Sequence, residues 1–166
     1  MLIVKVCCSE FINENRNKRE LSVCYELGMN ILVMAKGCKE DKFKKDTVDG
    51  FDVLRFSTRP LGDRFPKSIN RLFSLFTWAY YVRMLRADII SGHDLTALLI
   101  AYMSNISKQK GKKSKLVYDS HEFEIGRCGN RNKFSKWAIT HLERFLMKEC
   151  VFSIMVNDTI ADEVQR

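Results

Sequence analysis

Short runs of apolar and β-branched residues alternate along the chain with longer segments in which apolar residues recur every three or four positions. Runs of the first kind predict strands, and segments of the second kind predict amphipathic helices. The predicted strands are 2–8, 30–35, 51–56, 88–91, 115–119 and 151–156. The predicted helices are 17–27, 68–85, 95–107 and 133–148, with a last helix that begins at Asp158 or Thr159. The stretch from Lys36 to Gly50 is polar and charged, and no strand or helix is predicted there.

Strands that alternate with helices of this length indicate right-handed βαβ connections. The fold class is therefore expected to be α/β, doubly wound, with a mostly parallel sheet and helices on both faces. A length of 166 residues fits one such domain. Since neither an internal repeat nor a linker is visible, residues 1–166 are expected to form a single domain.

Two of the predicted helices carry an apolar stripe that we expect to cover the sheet. In the helix 68–85 the stripe is formed by Ile69, Leu72, Phe73, Phe76, Ala79 and Tyr80. In the helix 133–148 it is formed by Phe134, Trp137, Ala138, Leu142 and Phe145.

The formal net charge of +8 favours anionic partners such as acidic lipid, nucleic acid or nucleotide phosphates, without choosing among them. The six cysteines contain no C-x-x-C pair and lie at no zinc-finger spacing from a histidine, so we expect no metal site and free thiols in a reducing cytoplasm. The first residues lack the features of a signal peptide. The apolar stretch 72–82 is too short to span a bilayer.

Polar residues follow several of the predicted strands, at the edge where ligands bind in open parallel sheets. His121 stands between Asp119 and Glu122, where it could act as a base, a hydrogen-bond donor or half of a metal site. The alternative, which we weigh equally, is that Asp119 and Ser120 only cap a turn. For Asp94, which precedes a predicted helix, the role of N-cap is favoured.

Several common nucleotide and hydrolase motifs are missing. No G-x-G-x-x-G follows the first strand, and the segment 9–16 contains no glycine. This disfavours a nicotinamide or flavin dehydrogenase. Neither a P-loop nor a G-x-S-x-G turn is present, so the usual NTPase and hydrolase readings are also disfavoured.

The helix 68–85 is also a candidate for contact with a membrane surface, because it combines aromatic residues with cations near its ends. Arg71, Trp78 and Arg83 are the candidate contact residues. The favoured alternative is a core helix whose arginines extend along the surface to water. The lysine-rich run 108–115 is either a second anionic contact or a solvated loop.

Several segments, taken in order, resemble the amino-terminal domain of family 4-type GT-B glycosyltransferases. They are Ala87–Leu95 (ADIISGHDL), Lys115–Glu122 (KLVYDSHE), Leu142–Arg144, Val156–Asn157 and Ile160–Ala161, preceded by Asn15–Arg16, Arg19–Glu20, Leu27–Gly28 and Ile31–Ala35. The resemblance spans nearly the whole chain and implies the Rossmann-like half of a GT-B fold.

The resemblance further implies transfer of a hexose, with retention, from a nucleotide-sugar to a glycan or lipid-linked acceptor. His121 would be the catalytic residue in the cleft, and Asp94, Asp119, Glu122 and Asn157 would contact substrates. No tightly bound cofactor is implied, because the nucleotide-sugar binds to the second domain of the family. The expected location is the cytoplasm, peripherally at the inner face of the membrane.

Two features depart from the family. The glycine-rich loop of many relatives is missing after the first strand, and no donor-binding domain follows within the chain. We therefore expect this chain to be inactive without a donor-binding domain, in cis or in trans. The alternatives are a non-catalytic basic module that binds an anionic membrane surface or nucleic acid, although nucleic acid is the less expected partner, and a GT-B-type sugar-nucleotide epimerase that needs the same second domain.

Overall fold

The computed structural model of the protein describes residues 1–37, 43–106, 108–109, 111–120 and 133–155. Strands and helices alternate along most of this part of the chain. The strands are β1 (Leu2–Val6), β2 (Asn30–Lys36), β3 (Phe43–Val48), β4 (Phe51–Phe56), β5 (Ile89–Gly92), β6 (Lys115–Ser120) and β7 (Cys150–Met155). The helices are α1 (Asn15–Glu26), α2 (Lys67–Met84), α3 (Leu95–Asn105) and α4 (Lys133–Lys148).

The strands form one seven-stranded sheet in the order β3-β4-β2-β1-β5-β6-β7. Every neighbouring pair is parallel except β3 and β4, which are antiparallel. The order runs outward from β1 in both directions, as in doubly wound sheets. The predicted α/β fold with a mostly parallel sheet is confirmed.

Helices cover both faces of this sheet. Side chains of β1 alternate, so that Val4 and Val6 pack beneath α2 and α3 while Cys7, at the end of the strand, packs with Leu21 of α1. Tyr118 of β6 contacts α3 and α4 on the same face as α2. Helices α2, α3 and α4 thus share one face, and α1 lies on the other.

The polar and charged stretch between β2 and β4, where no element is predicted, contains the edge strand β3. Lys44 and Lys45 are exposed, as is common where charged side chains protect a sheet edge from further pairing. Phe43 holds the strand in place, because its ring stacks on Tyr81 and meets Phe56 edge-on. One aromatic residue in a charged segment gives little strand signal.

Helix α2 is apolar around most of its circumference, and the stripe predicted to face the sheet is mostly exposed. Ala79 is buried, but the other five predicted members point outward. The sheet is covered by a second stripe with the same helical spacing, formed by Leu75, Trp78, Ala79 and Val82. Because both stripes fit the helical period, the sequence pattern does not choose between them.

The predicted apolar face of α4 is also on the outside. Phe134, Trp137 and Phe145 are exposed, whereas Glu143 and Leu146 are buried. The Tyr118 hydroxyl donates a hydrogen bond of 2.7 Å to Glu143 Oε1. The stripe of α4 that packs inward therefore contains a buried carboxylate. Because this charged residue interrupts the apolar pattern, the sequence does not predict that stripe.

Gly92, at the end of β5, allows α3 to approach the sheet closely. A Cβ built on Gly92 would lie 2.7 Å from the Leu98 nitrogen and 2.8 Å from its Cα, both backbone atoms of α3. Backbone atoms cannot rotate away as a side chain can. Glycine at this position therefore fixes the distance between β5 and α3, and with it the turn at residues 93 and 94.

Substitution of Gly92 is expected to destabilise the fold. The clash of Gly92→Ala with α3 should lower the free energy of unfolding by about 1–3 kcal/mol, measured by urea denaturation. The matched control is Ser91→Ala at the preceding position. The Ser91 hydroxyl is buried without a hydrogen-bond partner among the described residues, so its removal should leave stability unchanged or slightly higher. Equal midpoints for both variants would contradict the close packing.

Candidate functional site at the carboxyl edge of the sheet

A fully buried lysine lies in the middle of the central strand β1. The Lys5 side chain is 0% exposed and points to the α1 face. Its Nζ donates to Glu20 Oε2 at 2.8 Å and to Asp119 Oδ2 at 3.1 Å. A buried ammonium group needs such partners, since an unpaired charge in the core is very unfavourable. Lys5 therefore joins β1 to α1 and to the end of β6.

Asp119 bridges two cations across this face of the sheet. Its carboxylate is fully buried, with Oδ2 on Lys5 and Oδ1 accepting from Arg16 Nη2 at 3.1 Å. Arg16 comes from the first turn of α1, and 41% of its side chain is exposed. Arg16 is thus partly exposed and available to a ligand, and Asp119 fixes the Arg16 guanidinium from the buried side.

His93 belongs to the same cluster. The Asn17 amide nitrogen lies 3.0 Å from both Glu14 Oε2 and His93 Nδ1. The His93 ring also lies between two carboxylates, with Nε2 3.2 Å from Glu14 Oε2 and Nδ1 3.6 Å from Asp119 Oδ2. We call the set Lys5, Glu14, Arg16, Asn17, Glu20, His93 and Asp119 the ionic cluster.

Local backbone features place these side chains. The Asp94 carboxylate accepts the Ala97 N–H at 2.7 Å and caps α3, as the sequence predicted. The His93 N–H donates to the Val6 carbonyl at 3.1 Å, which extends the β1–β5 pairing to the turn. The α3 cap and this hydrogen bond hold the His93 ring over the end of β1.

A basic pocket lies on the other face of the sheet, at the same carboxyl edge. It has a volume of about 360 Å³ and lies where β1, β2 and β4 end, between α2 and α3. Its cationic lining residues are Lys36, Arg59, Lys67 and Arg71, and none of the described residues that line it is acidic. Arg59 already forms an ion pair with Asp63. The other three cations, Lys36, Lys67 and Arg71, make the pocket suited to an anionic group.

Trp78 forms part of the wall of this pocket. The residue is 4% exposed, and its indole Nε1 is buried with no hydrogen-bond partner among the described residues. Buried donors in folded proteins are nearly always paired. Within the described part of the chain, the Trp78 N–H is therefore an unsatisfied buried donor beside the pocket.

The two cysteines that follow β1 are unsuited to nucleophilic catalysis. Burial raises the pKa of the Cys7 thiol, and the nearby carboxylates of Glu14, Asp94 and Asp119 raise it further. Burial, with a contribution from Asp94, also raises the pKa of Cys8. Both therefore remain thiols at neutral pH, whereas the nucleophile of cysteine chemistry is the thiolate.

The structure places the predicted site residues in different parts of the fold. Asp119 belongs to the ionic cluster, and Asp94 caps α3 next to Cys8 at the basic pocket. Arg71 lines that pocket, and Arg83 lies at the far end of α2. His121, Glu122 and Asn157 lie outside the described residues. Contact of any of these side chains with a substrate stays a prediction.

Trp78 requires a correction. The sequence makes it a candidate for membrane contact, but the structure places it on the inner side of α2, where it is buried in the core and packs against Phe56. Its helical position places it on the stripe that covers the sheet, so it cannot reach a surface that approaches α2 from outside.

Most of the ionic cluster was missed from the sequence. The strand pattern of residues 2–8 gives Lys5 no special role, although a lysine in the middle of a central parallel strand, covered on both faces, needs a buried carboxylate partner. That requirement was the available signal. It does not identify the partners, because Glu20 and Asp119 lie 15 and 114 residues away along the chain.

No group of three or more His, Cys, Asp or Glu side chains in the described part of the chain could hold a metal ion. Nor is any helix in that part long and apolar enough to cross a lipid bilayer.

Comparisons with known proteins identify the fold. No protein-family model matches the sequence, and no curated protein matches it. Among solved structures, sucrose-phosphate synthase from Thermosynechococcus elongatus superposes with a TM-score of 0.73 at 8% sequence identity, over 100% of this chain and 45% of that chain. The fold resembles a GT-B Rossmann-like domain. The chain spans less than half the length of that synthase.

A second solved structure aligns less well. The catalytic domain of starch synthase IV from Arabidopsis thaliana, bound to ADP and acarbose, gives a TM-score of 0.47 at 12% identity. This alignment covers 77% of this chain and 36% of that chain. The comparison that supports the GT-B-like fold is therefore the one with sucrose-phosphate synthase.

The ionic cluster predicts a stability effect at Asp119. Asp119→Asn keeps the shape of the side chain but leaves Lys5 with one charged partner, which should lower the free energy of unfolding by about 3 kcal/mol in urea denaturation. The matched control is Asp49→Asn, which removes the exposed carboxylate that pairs with Lys18 and should have little effect. A similarly small loss for both variants would show that the buried pair does not hold the fold.

Proposed function

We propose that this chain is the acceptor-side domain of a retaining GT-B glycosyltransferase, which transfers a hexose from a nucleotide-sugar to an acceptor. The observation that carries the proposal is the basic pocket at the carboxyl edge of a GT-B-like sheet. Ligands of open α/β sheets bind at this edge. The order of family-like segments in the sequence supports the same function.

The pocket suits an acceptor that bears a phosphate or carboxylate group. Arginine and lysine bind such groups by charge-assisted hydrogen bonds, and the lining residues include four cations. A neutral glycan would offer no charged partner to Lys36, Lys67 and Arg71 of the pocket.

His121 follows directly after β6, whose last residues Asp119 and Ser120 are buried. In the proposed mechanism His121 contacts the donor sugar and stabilises the charge that develops during transfer. The ionic cluster acts through position, because Asp119 fixes the end of β6 against Lys5 and Arg16. Preorganisation of this kind lowers the barrier without a protein nucleophile.

The donor site would belong to a second domain, present in cis or in trans. Sucrose-phosphate synthase is more than twice as long as the part that matches this chain. Glu122 and Asn157 are proposed to contact substrates at the edge that faces the second domain. The nucleotide-sugar would then be the only cofactor-like ligand, and it would bind outside this chain.

The competing function is a basic module without catalytic activity. Such a module would need the cations but not His121. The two functions therefore separate on one residue, since loss of His121 affects only transfer.

The first test is a transfer assay with a labelled nucleotide-sugar. The chain alone should give no product, and the chain combined with a donor-binding domain should give product with retained anomeric configuration. His121→Ala should lower the rate in the combined system by at least about a hundredfold, in line with the loss of an electrostatic contact in the transition state. His141→Ala, in an exposed part of α4, is the matched control and should leave the rate unchanged. An unaffected rate in His121→Ala would overturn the catalytic role.

The second test measures acceptor binding to the chain alone. Trp137→Phe leaves Trp78 as the only tryptophan, so its fluorescence reports on the basic pocket. Hexose phosphates and short-chain prenyl phosphates should change the emission, and Arg71→Gln should weaken their binding about tenfold.

The control for this experiment is Lys44→Gln, which removes an exposed cation from β3. It should leave binding unchanged. Equal binding of the same compounds without phosphate, or no change of emission with any of them, would contradict an anionic acceptor.

A further inference from the structure

The outer stripe of α2 leaves large apolar side chains in contact with water. Ile69, Leu72, Phe73, Phe76, Tyr80 and Met84 form this outer stripe, and each is at least 46% exposed. Their spacing of three or four residues places them along one side of the helix for its whole length. A continuous apolar strip of this kind marks an interaction surface.

A cleft lined by cations lies where the outer stripe ends. Met84 forms part of its wall, together with Arg83, Arg86, Lys108, Gln109 and Lys112, and its volume is about 710 Å³. None of the described residues that line it is acidic. Arg86 is held there by a backbone with φ of +50°.

Two of the cations in this cleft, Arg83 and Lys108, repel each other. Burial and the neighbouring Arg83 guanidinium lower the pKa of Lys108. The Lys108 ammonium is held by the Ser114 hydroxyl at 2.9 Å, which is a neutral partner. An anion in the cleft would relieve this repulsion.

The net charge of the protein is concentrated in the same region of the sequence. Residues 64–118 contain ten lysines and arginines but only two acids, Asp88 and Asp94, so this stretch carries +8. The rest of the chain is electrically balanced, because the whole chain also carries +8. Both the outer stripe and the cleft belong to this stretch.

We propose that the outer stripe of α2 docks on an anionic lipid bilayer, with the cleft of Arg83, Arg86, Lys108 and Lys112 binding a lipid phosphate headgroup. The basic pocket at the start of α2 and this cleft at its end place cations at both ends of an apolar strip. This is the arrangement of a helix that lies in the membrane interface. Charge complementarity selects the lipid surface, since a second copy of the chain would bring like charges together.

The inference goes beyond the proposed function, because docking needs neither a donor domain nor His121. The test is co-sedimentation of the purified chain with vesicles of phosphatidylcholine alone or of equal parts phosphatidylcholine and phosphatidylglycerol. Binding should require phosphatidylglycerol and weaken as salt is raised.

Two variants separate the contributions. Arg83→Gln combined with Lys112→Gln should weaken binding roughly 30-fold, about fivefold for each cation. Phe76→Ser should weaken it about tenfold or more through lost apolar burial. The matched controls are Lys44→Gln combined with Lys45→Gln on β3, and Tyr25→Ser on α1, which change exposed residues elsewhere. All four proteins should keep the circular dichroism spectrum and unfolding midpoint of the parent.

Four results would overturn the proposal. They are equal binding to both vesicle types, equal weakening by the control variants, binding of inorganic phosphate in the cleft with no vesicle binding, and a concentration-dependent dimer that Phe76→Ser abolishes in the absence of lipid. None of these results bears on sugar transfer, so failure here and failure of the proposed function remain distinguishable.

Discussion

The structure depends on neutralising one charge in its centre. Lys5 lies in the strand from which the sheet extends in both directions, and it has no access to water. Its pairing with Glu20 fixes the position of α1 on the sheet. Its pairing with Asp119 fixes the end of β6 relative to β1. Arg16, Asn17 and His93 then follow, because they bind to the same carboxylates or to their neighbours. A core of apolar side chains alone would leave α1 freer to shift.

The order of strands and helices could be predicted from the sequence because it follows from local periodicity. The direction that each helix faces could not. In α2 two apolar stripes satisfy the helical period, and only the tertiary structure shows that Trp78 and Val82 pack inward. In α4 the inward stripe contains Glu143, which looks like a surface residue until Tyr118 is placed beside it. Strand β3 could not be predicted for the same reason. Its anchor on α2 is a single phenylalanine, Phe43, whose ring stacks on Tyr81.

The candidate site shows the same division. Asp94 could be recognised as a helix cap because the cap and the helix are adjacent in sequence. The basic pocket could not be recognised, because its cations come from the ends of β2 and β4 and from the first turns of α2. Each of these residues, taken alone, is an ordinary surface lysine or arginine. Their convergence at one edge is a property of the sheet order.

The position of α2 between two surfaces has a consequence for how an acceptor would arrive. Arg71, which lines the basic pocket, is followed in sequence by Leu72 of the outer stripe. With α2 on a bilayer, as proposed above, the mouth of the pocket would be held close to the headgroups. On the proposed docking, an acceptor with a lipid tail would reach the pocket by lateral diffusion, and its search would be confined to two dimensions.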